Sequence, residues 1–114
     1  STFGGSEVGC AAALAVLDVI EAPGFGDRVR SVGERLRHDL AGLPFEVRGR
    51  GLFLALAFPG EGDAITAAGR LIDNGVFAVF ANHDTSVLQF LPPLTISDDE
   101  VSELVDIVRT TFEP

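Results

Sequence analysis

The run Leu52 to Phe58 limits the architectures open to this chain. In extended conformation Leu52, Leu54, Leu56 and Phe58 line one face, and Phe53, Ala55 and Ala57 the other. A strand apolar on both sides is expected to be central in a sheet or covered twice. Before it, Phe45 to Arg48 alternates as a short strand and Gly49-Arg50-Gly51 bends the chain. Arg48-Gly49-Arg50-Gly51 has the composition of an RNA-binding RGG segment. It occurs once in a chain of net charge −9, so bend glycines with outward arginines are the better account.

Amphipathic segments surround this strand. Glu7 to Glu21 is expected as a first helix capped by Ser6, apolar almost all round and therefore buried. Its small face, Gly9, Ala12, Ala13 and Val16, would let another backbone approach closely. Cys10, among alanines and without a basic neighbour, reads as a core residue rather than a reactive thiol. Beyond Ala22-Pro23-Gly24-Phe25-Gly26, Asp27 is expected to cap a second helix with Val29, Val32, Leu36, Leu40 and Leu43 as its apolar stripe. Arg28, Arg30, Arg35 and Arg37 fall on its solvated faces, and His38 pairs with Glu34. Asp63 is expected to cap a third helix with Ile65, Ala68, Leu71 and Ile72 inward, stopped at Asn74-Gly75. Val76 to Ala81 and Val87 to Leu91 read as a hairpin around the polar turn Asn82 to Ser86. Ser97-Asp98-Asp99-Glu100 is a capping box, and the helix it opens turns Val101, Leu104, Val105, Val108 and Phe112 inward. The predicted fold class is α+β, a small, mostly antiparallel sheet with helices on one face.

Composition narrows the function. With 114 residues and 46 % hydrophobic content, the chain can build one real core. The acidic balance argues against nucleic acid and anionic membranes, and no apolar run approaches a membrane span. A single cysteine suits a reducing compartment, so a cytoplasmic location is expected. His38, His83 and Cys10 lack the spacing of a metal site, and no P-loop, nucleophile elbow or GxGxxG occurs. All eight basic residues are arginine; there is no lysine.

Three passages carry a resemblance. Thr2-Phe3-Gly4-Gly5 leads into the helix Gly9-Cys10-Ala11-Ala12-Ala13-Leu14, Arg48-Gly49-Arg50-Gly51-Leu52 precedes a strand, and Phe90-Leu91-Pro92-Pro93-Leu94-Thr95-Ile96 precedes an acidic cap. Together they resemble the class III (ornithine/acetylornithine-type) pyridoxal-phosphate aminotransferases over essentially the whole chain. The resemblance implies the C-terminal small domain of a fold-type I enzyme, residues 1–6 leading in from the large domain and 7–21 forming the connecting helix. The start at Ser1, inside a motif, fits a piece of a longer chain. The implied cofactor is pyridoxal 5'-phosphate, held on a lysine amine that this chain lacks, so no catalytic residue is assigned here. Thr2 is implied as a contact to the cofactor phosphate bound mainly by the other subunit of a dimer. The implied partners are the large domain, a second subunit, a small-molecule amine and a 2-oxo acid.

Two residues depart from the family pattern. Ser6-Glu7 stands where many members have Asn-Pro. Gln89 occupies the position of the arginine that grips a substrate carboxylate, and a neutral amide cannot replace that two-pronged charged contact. Gln89 is therefore the candidate substrate-binding residue, with a diamine or other ω-amino donor expected. Alternatives are an aminomutase, racemase or decarboxylase on the same scaffold, or a free-standing ferredoxin-like binding module.

Overall fold

The two-sided apolar run becomes an interior strand. The computed structural model describes residues 1–113, in the order α1 (Glu7–Ile20), α2 (Phe25–Asp39), β1 (Glu46–Arg50), β2 (Phe53–Ala57), α3 (Asp63–Asp73), β3 (Val79–Ala81), β4 (Asp84–Phe90) and α4 (Asp98–Phe112). One sheet of order β1-β2-β4-β3 holds the strands, every pairing antiparallel. The bend at Gly49 to Gly51 thus belongs to a hairpin, since Arg50 pairs with Phe53 and the strand turns back on itself.

Leu54, Leu56, Leu88 and Phe90 form the core face of the sheet and are buried with Val32 and Leu36 of α2, Ala64, Ala67 and Leu71 of α3, and Val101, Val105 and Val108 of α4. Leu36, Leu56 and Leu88 are wholly inaccessible, each a contribution of about 1.5–3 kcal/mol from apolar burial. Phe45, Phe58 and Phe112 close one end of this core with ring centroids 5.2, 5.4 and 5.7 Å apart, and the Arg70 guanidinium lies over Phe112 at 5.1 Å. The opposite sheet face carries Phe53, 77 % exposed, with Ala55, Val79 and Gln89. No helix covers it at Phe53. The α+β expectation holds, with the helical layer on one side.

Several local expectations change. α1 begins with Ser6 as its cap, as its sequence implies, yet none of its residues is buried. It packs chiefly against α2, and Val8, Leu14 and Val16 stay exposed. Cys10 is accordingly exposed rather than part of the core. Neither Asp27 nor Asp63 is an N-cap: Gly24 and Gly62 take those positions at φ +83° and +84°. Asp27 instead pairs with Arg30, and Asp63 accepts a hydrogen bond from the Gly60 N–H at 2.9 Å. Glu34 pairs with Arg37 while His38 contacts Asp39, so the expected His38–Glu34 pair does not form. On α3 the inward set is Ala64, Ala67, Ala68 and Leu71, and Ile65 and Ile72 are exposed, because small residues let this helix lie close to β4.

The arginines of α2 do more than solvate a surface. Arg28 donates to the Ile96 carbonyl at 2.6 Å and to Asp98 at 3.0 Å, and Arg35 reaches Ser102 at 2.9 Å. Arg109 of α4 returns to the Asp39 carbonyl at 2.6 Å, so α2 and α4 are tied at both ends. The capping box of α4 forms as its sequence implies: Ser97 Oγ accepts from the Glu100 N–H at 3.2 Å, and Glu100 accepts from the Ser97 N–H at 2.7 Å.

The hairpin tip meets α2 backbone to backbone. A Cβ added at Gly33 would lie 2.2 Å from the Gly51 carbonyl oxygen. Helix propensity alone favours alanine by about 1 kcal/mol, but backbone cannot yield as a side chain can. Gly33→Ala is expected to destabilise by about 1–3 kcal/mol through overpacking, seen as a lower thermal unfolding temperature. An unchanged or higher temperature means that the hairpin moves aside freely.

Candidate functional site

Two exposed regions carry the polar chemistry expected of a site. At the first, Thr2 to Gly5 turns into α1: the Ser6 N–H donates to the Phe3 carbonyl at 3.2 Å, and Gly5 adopts φ +76°. Ser6 Oγ accepts from the Gly9 N–H at 3.3 Å, which uses one of the free donors of the first turn. Thr2 is exposed and makes no side-chain hydrogen bond among the described residues, so its hydroxyl is available to a ligand. Glu7 in the first turn opposes an anion placed on the helix axis.

The second region is the uncovered sheet face. β4 presents Gln89 between Ala55 of β2 and Val79 of β3. Its amide reaches the Phe80 carbonyl only at 3.5 Å, the outer limit of a hydrogen bond, and the residue is exposed. The neighbouring row member on β1 is Arg48, which faces Ala55 from the other side. Arg48 is held by Glu46 on its own strand, Nε and Nη2 lying 2.8 and 2.6 Å from the same carboxylate oxygen. That contact keeps the Glu46 carboxyl below its ordinary range and raises the guanidinium further. Sequence reading misses the pair's relation to Gln89. Opposite charges two apart on a strand signal the pair itself, but only the register shows whom it faces.

Gln89 also borders a cleft of ≈380 Å³ between the Gly75–Ala78 segment, the Gln89–Pro93 segment and α4. Leu104 and Ile107 line it, with Glu100 and Glu103 on the α4 side. Glu100 is already committed to Ser97, whose backbone N–H and hydroxyl hold its carboxyl below the usual range. At the β3–β4 turn, Asp84 accepts from the Ser86 hydroxyl and N–H, which lowers its carboxyl likewise, while His83 is exposed. No group of three or more potential metal ligands occurs among the described residues, and no single helix is long and apolar enough to cross a membrane. Thr2 precedes α1 whereas Gln89 sits in the sheet, and no side-chain hydrogen bond among the described residues joins them.

The family model described as aminotransferase class-III matches residues 1–112. An uncharacterised aminotransferase of Archaeoglobus fulgidus is 40 % identical over 119 residues, covering 99 % of this chain and 28 % of that protein. The mitochondrial ornithine aminotransferase of Drosophila melanogaster is 35 % identical over 116 residues, covering 98 % of this chain and 26 % of that protein. Among solved structures, the acetylornithine aminotransferase from Elizabethkingia anophelis superposes with a TM-score of 0.83 at 30 % identity, over 98 % of this chain and 31 % of that one. The chain therefore spans 26–31 % of the length of these relatives.

Proposed function

The chain belongs to the class-III aminotransferase family, and on that premise we propose that it is the C-terminal small domain of an enzyme moving an amino group from an amine or ω-amino acid to a 2-oxo acid. The observation that carries the reading is the match of one family model to residues 1–112. Relatives named aminotransferases over nearly the whole chain leave a free-standing ferredoxin-like module unfavoured. The rest of the polypeptide would supply the large domain, and a second copy would complete a cytoplasmic homodimer.

The family's cofactor, pyridoxal 5'-phosphate, supplies the electron sink for nitrogen transfer when bound. The lysine that would hold it lies outside this chain, which has none. Thr2 fits the lesser task of donating its hydroxyl to a phosphate oxygen in the neighbouring subunit's site, being exposed and uncommitted. Gln89 would meet the distal end of the amino donor from the uncovered sheet face. A neutral amide there offers hydrogen bonds without a fixed charge, which favours donors with an uncharged or cationic distal end over those with a carboxylate.

The test is a donor panel of putrescine, lysine, ornithine, 4-aminobutyrate and acetylornithine with the full-length enzyme. Gln89→Arg is expected to shift kcat/KM toward carboxylate-bearing donors and away from diamines by ~10-fold or more. If the wild type already prefers acetylornithine and the substitution leaves the ranking unchanged, Gln89 is a sheet residue only. If no donor on the panel is deaminated against any 2-oxo acid, the chemistry belongs to a mutase, racemase or decarboxylase instead.

A further inference from the structure

The uncovered sheet face holds a guanidinium close to Gln89, the position where the family pattern has an arginine and this chain does not. Arg48, Ala55 and Gln89 form one row across β1, β2 and β4. Arg48 and Gln89 are two strand spacings apart, roughly 10 Å at the backbone, and the residue between them is alanine. A long arginine side chain therefore has room to extend over Ala55 toward the amide. It is paired instead along its own strand with Glu46, at 2.6 and 2.8 Å.

We infer that Glu46 is a specificity-determining residue, which neutralises Arg48 and so keeps that guanidinium from serving as a carboxylate clamp beside Gln89. The inference rests on the reading of Gln89 as donor-facing and adds the reason why a nearby arginine does not make up for the amide. One carboxylate oxygen of Glu46 takes two N–H groups of Arg48, and the other donors of the fork have no hydrogen-bond partner among the described residues. Those donors could still hydrogen-bond an incoming carboxylate, but the pair it meets is electrically neutral. Both partners keep more than half of their side-chain surface exposed, 59 % for Arg48 and 65 % for Glu46. Pairs this exposed are weakly coupled, so it is the net charge beside the Arg48–Ala55–Gln89 row, more than the strength of the bond, that Glu46 sets from the next row. With Glu46 neutral, Arg48 keeps only the weaker through-space pull of the Asp84 carboxylate and offers its positive charge within reach of a distal carboxylate.

The experiment compares 4-aminobutyrate with putrescine, which differ in a distal carboxylate against a distal ammonium. It uses full-length wild type, Glu46→Gln, Glu46→Gln with Arg48→Gln, and Gln89→Arg, all with one 2-oxo acid. Glutamine at 46 keeps the size and an acceptor for Arg48 and removes only the charge. The kcat/KM ratio of 4-aminobutyrate to putrescine is expected to rise about tenfold in Glu46→Gln, mainly through KM, and to fall back to the wild-type ratio or below in the double variant. A rise that persists without Arg48 overturns the inference, since Glu46 would then act by its own charge. An unchanged ratio in Glu46→Gln with a raised ratio in Gln89→Arg also overturns it, while leaving the reading of Gln89 intact. No change in either variant overturns both.

Discussion

Residues 1–114 alone, given pyridoxal phosphate, amino donors and a 2-oxo acid, will turn over no substrate. All eight basic side chains are arginine, whose guanidinium stays protonated and cannot act as the amine nucleophile that the cofactor requires. The one primary amine is the N-terminus at Ser1. Acetylating it controls for adventitious attachment, and absorbance spectroscopy should then show no cofactor bound covalently to a side chain. The full-length enzyme in the same assay is the positive control. Turnover by the isolated residues would sink their assignment as a non-catalytic domain, because some group among them would have to do what only an amine is known to do here.

The second large effect concerns cofactor retention. Thr2→Ala in the full-length enzyme removes a single hydroxyl from an exposed turn, where it supports nothing in the fold. If that hydroxyl bonds a phosphate oxygen, the loss is one hydrogen bond to a charged group, about 1.5–3 kcal/mol. Affinity for pyridoxal phosphate should fall roughly ten- to a hundredfold, measured by titrating the cofactor-free enzyme, with the unfolding temperature of that cofactor-free form unchanged. Thr2→Ser should keep most of the affinity, since the donor survives. Equal cofactor affinity in wild type and Thr2→Ala would reduce Thr2 to a lead-in residue.

Local signals were legible where one element satisfies itself. The capping box at Ser97 and Glu100 and the Ser6 cap form as written, because cap and helix are neighbours in sequence. The stripe Val32, Leu36, Leu40 is buried because helical period and core face coincide. Caps at Asp27 and Asp63 were misplaced for a related reason: a glycine in left-handed conformation just upstream begins the helix earlier, and the aspartate then serves a nearby donor or cation.

α1 shows the limit of periodicity. An apolar helix must be covered by something, but its pattern does not say whether the cover lies in the same residues. Here it stays exposed, with Cys10 on its surface. Gln89 shows another limit. That it departs from the arginine of the family pattern is a fact of sequence, whereas its neighbours are not.

The amino-acid sequence by itself determined the α+β class, the central strand, the helix stripes, the lack of a lysine amine and the family. Each depends on residue type and on spacing within a segment. Only the tertiary structure decided which sheet face is bare, that α2 and α4 are stapled by arginines, and that Arg48 and its partner Glu46 share that face with Gln89. Those facts depend on strand register and on contacts between residues as many as 70 positions apart. A one-residue slip in register would turn Arg48 or Gln89 to the other face without changing a letter of the sequence.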